Sequence, residues 1–150
     1  MSSSYPLLRS EDTDGLVIHC SDPRFQSAFR QFIKNELGLN NPCLIIVPGG
    51  IHDLVSLARP KAARQLKDQL EFIIKNMRVK RIILINHDDC RWYAKWNALV
   101  PGKIGDEIVN NLAKAAEKIM EKKFGLEIEI YLAKIQANNV IFERLDTPAK

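Results

Sequence analysis

Four short apolar runs alternate with long segments whose apolar residues recur every three or four positions, and this alternation leaves few folds open to the chain. The runs are Gly15 to Cys20 (GLVIHC), Cys43 to Val47 (CLIIV), Arg81 to Asn86 (RIILIN) and a stretch near Leu126 to Ala133. Between them, Phe25, Ala28, Phe29, Phe32, Ile33 and Leu37 form one helical stripe, with Asp22-Pro23 placed to open the helix and Gly38 to end it. Pro60 opens a second helix, striped by Ala63, Leu66, Leu70, Ile73, Ile74 and Met77. A third, from about Ile104 to Lys123, turns Ile108, Leu112, Ala116 and Ile119 inward and ends before Gly125. Strands alternating with long helices imply a mostly parallel sheet covered on both faces. The expected fold is therefore a single α/β domain, Rossmann-like, with four to five strands. Residues 138–145 supply the optional fifth strand at an edge, and CLIIV reads as a strand covered on both faces. Residues 1–14 are expected to form a flexible arm and residues 15–150 the domain.

A chain of 150 residues suits one domain, and 46% hydrophobic with 27% charged residues is ordinary globular composition. The longest apolar run, Cys43 to Val47, falls far short of the roughly 20 residues a membrane-spanning helix needs. The first fifteen residues carry no basic segment followed by an apolar core, so a cytoplasmic home is expected. The net charge of +4 raises the question of nucleic acid, but Lys114, Lys118, Lys122 and Lys123 share their helix with Glu107, Glu117 and Glu121. That is the pattern of a solvated helix face, and no nucleic-acid partner is expected.

Three cysteines in a cytoplasmic protein are better read as thiols or metal ligands than as a disulfide framework. In an open α/β sheet, ligands bind outside the carboxyl ends of the strands. Cys20 ends the first strand and His87-Asp88-Asp89-Cys90 begins where the third ends, whereas Cys43 starts the second strand and belongs to the opposite edge. Two sulfurs and one nitrogen suit tetrahedral zinc, and three protein ligands leave a fourth position for water or substrate. On a purely structural reading, Cys20 is instead a small buried hydrophobe and the histidine an incidental loop residue. Asp22 likewise has two readings: N-cap of the first helix, or a carboxylate beside the metal, restrained by Arg24. A phosphatase loop is disfavoured, because three residues separate Cys20 from Arg24 where that signature needs five.

Cys20-Ser21-Asp22-Pro23-Arg24 and His87-Asp88-Asp89-Cys90 resemble the two signatures of the β-class carbonic anhydrases, Cys-x-Asp-Ser/Pro-Arg and His-x-x-Cys. The similarity runs from about Leu16 to Tyr93. It implies one zinc ion per chain on Cys20, His87 and Cys90, an Asp22–Arg24 dyad, and a homodimer or higher homo-oligomer. The implied activity is reversible hydration of carbon dioxide to bicarbonate by metal-bound hydroxide, which zinc makes available by lowering the pKa of its water to about 7. Related small substrates such as carbonyl sulfide or carbon disulfide, or a non-catalytic zinc-binding role, are the alternatives. Gly49-Gly50 looks like the end of the family's Arg-Asn-Ala-Gly loop, next to the substrate pocket.

The chain also departs from the family pattern. Ile46-Val47-Pro48-Gly49 stands where the family has Arg-Asn-Ala-Gly, and Arg91 and Trp92 replace two glycines that commonly follow the second cysteine. The family's long N-terminal helical arms are nearly absent. Trp92, Tyr93 and Trp96 either line a small apolar substrate pocket or serve packing. His52 is either a proton shuttle or a plain loop histidine, and His19 should point away from the metal. Asp88 and Asp89 either orient His87 through its free ring nitrogen or cap the following turn.

Overall fold

The computed structural model describes residues 2–9, 12–96, 104–122 and 125–149. The elements run β1 (Gly15–His19), α1 (Gln26–Asn35), β2 (Pro42–Ile46), α2 (His52–Val55), α3 (Pro60–Asn76), β3 (Arg81–His87), α4 (Arg91–Trp96), α5 (Ile104–Glu121), β4 (Glu127–Gln136) and β5 (Asn139–Leu145). The strands form one sheet in the order β2-β1-β3-β4-β5. The first four are mutually parallel, and β5 returns antiparallel along β4.

The two-residue period of the strands divides the core. Leu16, Ile18, Ile82, Leu84 and Ile130 face α3 and α5, where Leu66, Leu70, Ile74, Leu112, Ala116 and Ile119 meet them. Val17, Ile83, Ile85, Tyr131 and Ala133 face the opposite way, onto Phe25, Phe29, Phe32 and Ile33 of the α1 segment. Helices therefore cover both faces, which is why the middles of β1 and β3, Leu16 to Ile18 and Ile82 to Ile85, are apolar. At the β1 entrance, Thr13 and Asp14 are tied to Asn41: Thr13 Oγ1 donates to the Asn41 carbonyl at 2.7 Å, and Asp14 accepts the Asn41 N–H at 3.1 Å. Among the described residues no helix is long and apolar enough to cross a membrane.

Several expectations need correction. The apolar run of β2, expected to be covered on both faces, is covered on one only, and Leu44 and Ile46 remain 45% and 43% exposed. The first helix opens at Gln26, not at Asp22-Pro23, and Phe25 holds its N-cap position with no side-chain cap bond. Residues 23–25 form a turn in which Asp22 Oδ1 accepts the Arg24 N–H at 2.9 Å. The Asp22 carboxylate is engaged there because Arg24 also reaches it with its guanidinium. The segment after His87, expected as loop, contains α4, and His52 belongs to the short helix α2. The rest of the expected loop, residues 97–102, lies outside the described residues, as does Lys123.

Candidate metal centre

The chain passes from β1 to β2 on one side of the sheet and then to β3 on the other side of β1, so strand direction of travel reverses between β1 and β3. That is the switch point at which open α/β sheets leave a crevice. Cys20 directly follows β1, His87 is the last residue of β3, and Cys90 follows a two-residue turn before α4. Asp89 makes that turn possible by adopting a left-handed φ of 55°. Sγ of Cys20, a ring nitrogen of His87 and Sγ of Cys90 lie within 4.8 Å of one another, and all three residues are buried. Cys43 stands apart, paired with Leu16 near the far end of β1.

The local bonds orient these donors. His87 Nδ1 lies 2.6 Å from the Asp88 carbonyl, so Nδ1 carries the proton and donates it. Nε2 is then left with a lone pair, and it is a buried polar atom without a hydrogen-bond partner. The main chain of Asp88, and not its carboxylate, sets the ring; that carboxylate instead accepts the Ile135 N–H at 3.0 Å. The Gly49 N–H donates to Cys20 Sγ at 3.3 Å. The contact with Cys90 above all, outweighing burial, holds the Cys20 thiol below its ordinary value, and the Gly49 N–H adds to the effect. The same contact with the Cys20 thiolate, together with burial, pushes Cys90 up. Burial works against charge on His87, yet the Cys20 thiolate and the Asp88 carbonyl together raise it above the ordinary imidazole value.

The donor set fits a metal ion. Tetrahedral zinc, with Zn–S about 2.3 Å and Zn–N about 2.0 Å, places its donors roughly 3.5–3.8 Å apart, within the observed spread. The unpartnered Nε2 is the atom such an ion would engage, and the Nδ1–H to carbonyl bond is the usual support for a ligating histidine.

Arg24 lies between two acidic residues. Its Nη2 donates to Asp22 Oδ2 at 2.8 Å and its Nε reaches both Asp22 oxygens at 3.2 Å. Its Nη1 donates to Asp89 Oδ2 at 3.0 Å. These guanidinium bonds, against a smaller cost of burial, hold the Asp22 carboxyl below its usual value.

A cleft of about 550 Å³ opens over the donors, lined by Cys20 and Cys90, by Pro23, Pro48 and Trp92, and by Arg24, Arg91 and Lys95. Gly49 and Gly50 sit beside it with φ of 76° and 57°, and a Cβ on Gly49 would stand 2.4 Å from Trp92 Cδ1. The three aromatics after Cys90 have separate tasks. Trp92 lines the cleft and Trp96 stacks edge-on against it at 5.8 Å. Tyr93 is fully buried, and its hydroxyl accepts from Asn86 Nδ2 at 3.0 Å and Asn111 Nδ2 at 3.3 Å. This network joins β3, α4 and α5 beneath Cys90 and had no sequence signal beyond an asparagine at the end of an apolar run. His52 is buried against Tyr93, with Nδ1 2.8 Å from Asp53 Oδ1. His19 stacks on Phe29 at 4.2 Å, on the α1 face of the sheet.

No protein-family model matches the sequence, and no curated protein is significantly similar to it. Solved structures do match in shape. A β-carbonic anhydrase of Aspergillus fumigatus, CafA, superimposes with a TM-score of 0.57 over 94% of this chain and 78% of its own, at 14% identity. The fold is that of the β-carbonic anhydrases. Isoform I from Trichomonas vaginalis gives 0.55 over 93% of this chain and 87% of its own, at 14% identity. A tetrameric β-carbonic anhydrase from Sordaria macrospora gives 0.57 over 89% and 81%, at 13% identity. At these identities the likeness establishes the architecture, and the chemistry has to be argued from the residues of this chain.

Proposed function

We propose that the protein is a zinc lyase that reversibly hydrates carbon dioxide to bicarbonate, working as a homodimer or higher homo-oligomer in the cytoplasm. The observation that carries this reading is the Cys20, His87 and Cys90 triad at the switch point, with the unpartnered His87 Nε2 aimed into it. The β-carbonic anhydrase shape of the chain supports it. Zinc, when bound, supplies a Lewis acid that lowers the pKa of water to about 7 and so provides a nucleophile at neutral pH.

The remaining work falls to the chain. Cys20, His87 and Cys90 hold the ion, and the Asp88 carbonyl keeps His87 in the tautomer that leaves Nε2 free. Asp22 remains ionised beside the donors and accepts a proton-bearing group, orienting it toward the carbon. Arg24, with three donor contacts to Asp22 and two to Asp89, restrains that carboxylate from becoming a fourth ligand. Pro23, Pro48 and Trp92 supply an apolar surface suited to an uncharged substrate. That surface also suits carbonyl sulfide or carbon disulfide, and the test therefore includes them.

Purified protein should carry about one zinc per chain, as a three-ligand site predicts. Cys20→Ser and Cys90→Ser should lose it and Cys43→Ser should keep it. Zinc-loaded protein should hydrate carbon dioxide, and Asp22→Asn should lower turnover about 10²-fold or more with zinc content unchanged. Hydrolysis of carbonyl sulfide without carbon dioxide hydration would move the assignment to the sulfur substrates. Zinc binding with neither activity would leave a non-catalytic zinc protein.

A further inference from the structure

The Trp92 side chain is held from three directions. Its indole N–H donates to Asp53 Oδ1 at 3.1 Å. The Arg59 guanidinium lies 4.9 Å from its ring centroid and 4.6 Å from that of Trp96, while Arg59 Nε stands 3.2 Å from the same Asp53 oxygen. On a third side the ring closes onto Gly49, where a side chain of any size would collide with it. Lys95 approaches both tryptophan rings at 5.6 and 5.3 Å. Asp53 is mostly buried, with 16% of its side chain exposed, and also takes His52 Nδ1 at 2.8 Å. A desolvated carboxylate holding an indole N–H, with a cation stacked on the ring, makes a rigid wall.

That wall stands at the metal site. Trp92 packs against the cluster that contains both cysteine donors, and the Gly49 it covers donates its N–H to Cys20 Sγ. Bulk at this position therefore removes space beside the donors themselves, whereas the cationic rim of Arg91 and Lys95 acts on any anion alike. Among the described residues Arg91 makes no ion pair.

We propose that Trp92, clamped by Asp53 and Arg59 over Gly49, is the specificity-determining residue of the cleft, admitting thin linear ligands and rejecting broad ones. Asp53 and Arg59 are positioning residues that act through it. The inference rests on the metal reading above.

The test uses protein loaded with cobalt(II) in place of zinc, with the visible cobalt absorption titrated by thiocyanate and by benzoate. Both probes are monoanions, so the ratio of their dissociation constants cancels the attraction of the basic rim and reports breadth. The native protein should favour thiocyanate strongly. Trp92→Ala should shift the ratio toward benzoate by about tenfold or more, the scale on which pocket volume discriminates. Trp92→Phe, which keeps most of the bulk without the N–H, should stay nearer the native ratio. Asp53→Ala should shift the ratio in the same direction as Trp92→Ala and weaken the near-ultraviolet circular dichroism of the tryptophans. Should Trp92→Ala fail to fold, Trp92→Leu and Asp53→Ala carry the same measurement. Cobalt bound with an unchanged ratio in these variants overturns the wall and leaves the metal reading standing. Failure of the native protein to bind cobalt overturns both.

Discussion

Arg24 donates from Nη1 to the Asp89 carboxylate at 3.0 Å and from Nη2 to the Asp89 carbonyl at 3.1 Å, tying the loop after β1 to the loop after β3. Cys20 lies on one of these loops and Cys90 on the other, so one guanidinium spans both thiol donors while it holds Asp22. The Arg24 side chain is 44% exposed and Asp89 is 69% exposed, so the pair adds little to stability, of the order of 0–1 kcal/mol. Its value lies in position. Arg24→Ala should therefore fold nearly as well as the native protein but free Asp22 to bind the metal. X-ray absorption of the zinc form should then show an added oxygen neighbour at about 2.0 Å, with turnover lost. Asp89→Asn keeps a residue that tolerates the left-handed turn and should lower turnover less than Asp22→Asn. An unchanged metal environment in Arg24→Ala would contradict the restraint.

Gly49→Ala should be among the costlier single methyl additions in the molecule. Its φ of 76° is a left-handed conformation, and the new Cβ would meet Trp92 Cδ1 at 2.4 Å and His52 Cβ at 2.9 Å. Strain and overpacking together should cost about 2–4 kcal/mol. Gly38→Ala is the control, because at a similar φ of 68° nothing lies within 4 Å of the added Cβ. Urea denaturation of the two variants measures the difference, and equal losses would mean that Trp92 does not press on Gly49.

At the opposite end of the sheet, Arg81 pairs with the mostly buried Glu129, which also accepts the Tyr131 hydroxyl at 2.8 Å. The hydrogen bonds from Arg81, exceeding the cost of burial, lower the Glu129 pKa from 4.5. A carboxylate whose folded pKa is depressed stabilises the fold fully above its unfolded value, and that contribution fades as pH falls through the folded value. Glu129→Gln should therefore cost about 1.5 kcal/mol near neutral pH. The gap from the native protein should start to close below about pH 4.5 and vanish in stronger acid. A gap that persists undiminished in acid would show that the charge is not what is lost.

Leu44 and Ile46 leave an apolar strip on β2, a strand with one unpaired edge. Such edges invite pairing with another chain, and an added charge blocks it. Light scattering at micromolar concentration should give at least twice the 17.1 kDa of one chain. Ile46→Lys should shift the protein toward monomer. A native protein that scatters as a monomer would remove the proposed assembly.

The strands, the long helices and the grouping of the donors are legible in the chain of residues alone. Apolar period and proline placement are local properties, so four strands and three long helices were legible, and the rule that crevices open at strand carboxyl ends separated Cys20 and Cys90 from Cys43. What period cannot report is which faces the helices cover. CLIIV reads like a strand covered on both faces, yet Leu44 and Ile46 stay 45% and 43% exposed, because coverage depends on how the helices pack and not on the run itself. The partners of the site residues were equally illegible. That Arg24 reaches Asp89, that Asp53 takes the Trp92 N–H, and that Tyr93 turns inward to Asn86 and Asn111 are contacts between segments brought together only when the helices pack. Asp22 shows the division within one residue: its type suits a helix cap, but in the folded loop its carboxylate takes both the Arg24 N–H and the Arg24 guanidinium, and the helix opens only at Gln26.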